Sequence, residues 1–167
     1  MSRERFWYYL IGVLCANFIT INLKLIFHKP RPVEMWTDIW FFTCKDEFGS
    51  PSNHCAQFAA ALVLILLDQY FPSSWSREVF PELNKRSIRS HKISFLTNFV
   101  LIVFAQSFLS YDRLLLGMHS LDQIMFGTLI GIWCAACCHI CLRDKTFSHF
   151  SGICHSDIAL TGPKTLT

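Results

Sequence analysis

The sequence predicts an all-α protein, a polytopic transmembrane helix bundle of about four spans. Three observations carry this. The 167 residues are 52% hydrophobic and 15% aromatic but only 16% charged, with a mean hydropathy of +0.35, whereas soluble domains carry about 25% charged residues. Four apolar segments are near the roughly 20 residues needed to cross a bilayer. None of them contains an internal proline, and backbone groups in lipid must be satisfied within their own segment, which leaves helices.

The first span runs from Phe6 to about Phe27. Arg3 and Arg5 precede it as they would a signal peptide. The apolar run is too long for one, and cleavage after it would cut into a cluster of cations, so it reads as a retained anchor. Residues 28–54 mix His28, Lys29, Pro30, Arg31 and Pro32 with Trp36, Trp40, Phe41 and Phe42, then Gly49, Ser50 and Pro51. The aromatic group suits the membrane–water interface. The second span, Cys55 to about Phe71, is the shortest. A basic, Ser-rich loop over 72–92 follows, then the third span from Ile93 to Tyr111, a short link over 112–120, and the fourth span from Leu121 to Leu142. Residues 1–142 thus form one membrane domain. Residues 143–167 form a polar C-terminal tail without periodicity, expected to be flexible. There is no internal repeat.

Four antiparallel spans place residues 28–54 and 112–120 on one side. The other side holds Arg3, Arg5, Arg77, Lys85, Arg86, Arg89, Lys92, Arg143, Lys145 and Lys164, ten of the fifteen basic residues. The positive-inside rule makes the first side lumenal or extracellular. The net charge of +3 and the lack of a basic stripe argue against nucleic acid as a partner. The expected partner is the bilayer. Of the eight cysteines, Cys134, Cys137, Cys138 and Cys141 share a helical face. Their surroundings are apolar, so they read as packing residues rather than a zinc site. Cys44 and Cys55 flank a polar segment and could pair if that side is oxidising.

The lumenal side collects the unusual residues. Lys24 closes span one and Arg31-Pro32 follows. Pro51-Ser52-Asn53-His54 opens span two. Arg113 closes span three, and His119 precedes span four. Singly, each has a bland reading: a snorkelling lysine, interfacial arginines, histidines at a helix start and in a loop. Together they suit phosphoryl transfer, whose transition state spreads charge over three equatorial oxygens. Arginines clamp such oxygens as bidentate forks and lysine adds a point charge. Ser52, at a helix start, adds a hydroxyl where backbone N–H groups favour anions. One histidine can attack phosphorus and the other can protonate the departing oxygen.

These residues resemble the type 2 phosphatidic acid phosphatase superfamily, whose pattern is Lys-x6-Arg-Pro, Pro-Ser-Gly-His and Ser-Arg-x5-His-x3-Asp. Here it reads Lys24-x6-Arg31-Pro32, Pro51-Ser52-Asn53-His54 and Asp112-Arg113-x5-His119-x3-Gln123. Leu116-Gly117-Met118-His119-Ser120 looks most like the lipid and sphingoid phosphate branch. The resemblance implies a core like that of acid phosphatases and vanadium haloperoxidases. It also implies a metal-independent phosphatase with no cofactor. His119 would be the nucleophile and His54 the general acid. Lys24, Arg31, Ser52, Arg113 and the backbone of Asn53 would hold phosphate. Asn53 replaces the motif glycine, Asp112 a serine, and Gln123 the aspartate that supports the nucleophile. Glucose-6-phosphatases also look to have glutamine there. Asp122, at i+3, is the other residue in reach of His119.

The expected function is hydrolysis of a lipid or other membrane-proximal phosphate monoester or diphosphate, in the endoplasmic reticulum or another endomembrane. The alternative class is a catalytically weak relative that binds phospholipid headgroups or partner helices. A sugar-phosphate substrate is a third reading. Relatives usually carry a further pair of spans ahead of the motifs, which leaves room for a homodimer here.

Overall fold

The computed structural model describes residues 3–32, 48–71 and 88–149. These form four long helices: α1 (Arg3–Phe27), α2 (Asn53–Tyr70), α3 (Ile88–Leu115) and α4 (Leu121–Cys141). No strand occurs among the described residues. The aromatic stretch around Trp36–Phe42, Cys44 and most of the 72–92 loop lie outside them.

α2 is the hub, packing against the other three helices, while α1 and α3 do not touch. The α2–α4 approach is close because α4 carries Gly127 and Gly131 one turn apart. A Cβ on Gly127 would lie 2.4 Å from the Ser52 carbonyl oxygen, and one on Gly131 would lie 2.2 Å from that of Ala56. Small residues at this spacing let helix backbones meet in the membrane. α1 meets the hub along Tyr8, Gly12, Ala16, Thr20 and Lys24, every fourth residue and all buried. That ladder is apolar until its last two rungs, which put Thr20 and Lys24 beside the start of α2.

Among the described residues three helices are long and apolar enough to cross a membrane, at Arg5–Phe27, Lys92–Leu115 and Leu121–Cys141. They fit an integral membrane protein. The second expected span is helical but is not among them. Its 18 residues open on Asn53, His54 and Gln57 and close on Asp68 and Gln69. As the enclosed helix it meets protein where the others meet lipid, so its ends tolerate polar side chains. α3 buries nothing in its most apolar stretch and is held partly by polar contacts. Asn98 donates to Tyr70 at 2.8 Å and Gln106 donates to Thr128 at 2.9 Å.

At the C-terminal end of α2, Asp68 is buried. It accepts hydrogen bonds from Arg143 and from Tyr9 (2.9 Å), and Arg5 pairs with it at 3.1 Å. The segment expected to begin a polar tail is helical over residues 143–149, with Arg143, Thr146 and Phe147 buried. Arg143 donates to Asp68 at 3.1 Å and the Phe147 ring centre lies 5.9 Å from that of Tyr8, so this stretch belongs to the bundle.

Candidate active site

The site is built at the ends of helices. α3 stops at Gly117, whose φ of 61° is the left-handed conformation that glycine adopts without a steric cost. Met118 N–H donates to Arg113 O at 3.2 Å and Gly117 N–H donates to Leu114 O at 3.0 Å, the paired bonds of a Schellman ending. The chain is turned so that Arg113 and His119 share one space. Ser120 then caps α4. Gln123 Oε1 accepts from Ser120 N–H at 3.3 Å, the reciprocal half of a capping box.

A cavity of about 80 Å³ is lined by Lys24, Arg31, Asn53, His54, Arg113, Met118 and His119. Lys24, Arg31 and His119 are buried and His54 is exposed. The structure therefore gathers six of the nine expected site residues around one space. Ser52 sits behind them, fully buried. Its N–H donates to Gln123 O at 3.0 Å and its hydroxyl oxygen has no hydrogen-bond partner among the described residues. Asn53 turns its amide toward α1, accepting from Thr20 at 2.6 Å and donating to Asn17 at 2.9 Å. Asp112 lies 3.3 Å from the Nε of Arg113.

The surroundings of His119 separate the two candidates for its support. Nδ1 lies 2.9 Å from the Gly49 carbonyl oxygen and 3.4 Å from Gln123 Oε1. Asp122 is exposed, bonded to the Ser120 hydroxyl and 3.5 Å from Lys29. Burial, then the nearby Arg31 charge, pushes the His119 pKa down to about 4, while the bonds to Gly49 and Gln123 pull it upward and Lys24 pushes it lower. The ring is neutral at physiological pH. Both partners of Nδ1 are acceptors, so Nδ1 carries the proton and Nε2 keeps its lone pair.

A family model described as the PAP2 superfamily matches residues 5–147. The chain belongs to that superfamily. Its members are phosphatases, and the match spans α1 through the helical stretch after α4. No curated protein and no solved structure gives a significant match.

Within this PAP2 chain, sequence reasoning missed Gly49, Asn17, Thr20 and Met118. Gly49 carried no motif signal. Asn17 and Thr20 were legible as polar residues in an apolar span, which are expensive in lipid and mark functional or paired positions. Among the described residues no group of three His, Cys, Asp or Glu side chains is arranged to hold a metal ion. Cys55 is a buried free thiol.

Proposed function

We propose that the protein is a membrane phosphatase hydrolysing a lipid or other membrane-proximal phosphate monoester or diphosphate through a phosphohistidine. The observation that carries this is His119, its Nδ1 2.9 Å from the Gly49 carbonyl oxygen, in the wall of a cavity that also presents His54, Lys24, Arg31 and Arg113. His119 Nε2 attacks phosphorus as the bond to the leaving oxygen breaks. His54 gives that oxygen its proton, then takes one from the water that attacks phosphorus and breaks the P–N bond, releasing inorganic phosphate. The three cations stabilise the equatorial oxygens, with the Ser52 hydroxyl behind them. The basic-residue asymmetry supports a lumenal site in the endoplasmic reticulum or another endomembrane.

The test is purified protein in detergent with EDTA. It is offered phosphatidic acid, a sphingoid phosphate, an isoprenoid diphosphate and a sugar phosphate, with and without vanadate. Vanadate-sensitive release of phosphate from a lipid supports the reading; preference for the sugar phosphate moves the substrate class. A second reading, a weak or lapsed relative that binds phosphorylated headgroups, is favoured by Gln123 standing where the family has a carboxylate. Headgroup binding without turnover on any substrate would establish it.

A further inference from the structure

We propose that the backbone carbonyl of Gly49 is the chief positioning partner of His119, and that Gln123 is the strut holding that carbonyl in place. The inference rests on reading His119 as the nucleophile and asks what replaces the missing carboxylate.

The distances rank the two acceptors. An N–H···O bond is commonest near 2.9–3.0 Å and weakens beyond about 3.2 Å. Nδ1 is 2.9 Å from Gly49 O and 3.4 Å from Gln123 Oε1. That oxygen is also shared with Ser120 N–H at 3.3 Å, so its two contacts are both long. The other end of the same amide donates to Pro30 O at 3.1 Å, which fixes which atom of Gln123 is nitrogen. Gln123 thus ties the first turn of α4 to the segment carrying Arg31. Gly49 is anchored to that segment as well, its N–H donating to Lys29 O at 2.8 Å.

Residue 49 is glycine for space. A Cβ there would lie 2.8 Å from both Gln123 Oε1 and Nε2, and 3.0 Å from Pro30 O. A side chain at this position would have to displace the glutamine amide that passes behind the carbonyl and press on the Pro30 carbonyl. A neutral carbonyl holds the ring in one tautomer and orientation as a carboxylate would. It adds no charge to stabilise the cation formed on phosphorylation, and charge-assisted bonds are roughly twice as strong as neutral ones. Turnover should be modest for that reason. The arrangement also reverses the simplest repair: Gln123→Asp would supply a charge but remove the donor to Pro30, so it should lower turnover.

The experiment combines turnover with NMR of protein in detergent carrying ¹⁵N-histidine and ¹³C′-glycine. Wild type should show His119 as the Nδ1–H tautomer, with a coupling across the hydrogen bond to the Gly49 carbonyl carbon. Gln123→Ala should keep that tautomer and lose about tenfold or less in turnover, the size of one neutral hydrogen bond. Gly49→Ala should mix the tautomers and lose about 100-fold, the effect of a misplaced nucleophile. The Gly49→Ala/Gln123→Ala double variant, relieved of the 2.8 Å contacts, should recover toward Gln123→Ala. The proposal is overturned if wild type lacks the coupling, or if Gln123→Ala loses the tautomer and as much turnover as His119→Ala. The coupling and tautomer are read without turnover. An inactive wild type would defeat the functional reading and leave this one to be decided by NMR.

Discussion

Around the N-terminus of α2, Lys24, Arg31 and Arg113 line a cavity with two histidines. Around its C-terminus, Arg5 and Arg143 close on the buried Asp68, to which Tyr9 also donates. The two ends use the same basic residue types to opposite effect. A lining of cations and imidazoles is complementary to an anion from outside. A seam in which a buried carboxylate meets its cations joins α1, α2 and the stretch after α4. Charge arranged around a space therefore reads as function, and charge arranged across a contact reads as architecture. The number of charges does not separate the two.

The comparison breaks most visibly if the ends are damaged in turn. His119→Ala should reduce turnover by about 10³-fold or more, with an unchanged melting temperature in detergent. An equal loss of thermal stability would show that the cavity end is structural too. Asp68→Ala should do the reverse. Removing one partner of a buried pair leaves the other charge uncompensated and costs about 3–5 kcal/mol. Melting should drop sharply while turnover per folded molecule holds.

Acid sharpens the contrast less forcefully. The folded pKa of His119, about 4, lies below its ordinary 6.5. Between those values the unfolded chain binds the proton more readily, so stability falls as pH drops from 6.5 toward 4 and this contribution is flat above. His119→Ala should remove that part of the pH dependence of melting. The smallest effect belongs to Lys29 and Asp122, both exposed in their pair. Asp122→Asn should change stability by less than about 1 kcal/mol and turnover by no more than about twofold. A large loss of turnover would make Asp122 a partner of His119 after all.

Much of this was legible beforehand. Hydropathy and the lack of proline located all four long helices. The convergence of Lys24, Arg31, Asn53, His54, Arg113 and His119 on one cavity could be expected, because each sits at or near a helix end and counting antiparallel helices puts those ends together. Ser120-x-x-Gln123 is a capping-box pattern, and it explains why a glutamine at that place has a local task besides the one suggested by its spacing from His119. The unsuitability of α2 as a lipid-facing span was foreshadowed by Asn53, Gln57 and Asp68. Its enclosure by the other helices was not.

The amino-acid sequence alone determined which chemistry is available and which helix ends carry it. Residue type fixes charge and nucleophilicity, and the helical period fixes which side chains stack along one ladder. Only the tertiary structure decided which atoms meet. Asp122 went to Ser120 and Lys29, Asp68 to Arg5 and Arg143, and the Nδ1 of His119 to a carbonyl seventy residues earlier in the chain. Every residue carries the same carbonyl. Which one reaches the imidazole depends on how closely two segments approach, and that distance is set by packing, here by the absence of a side chain at Gly49.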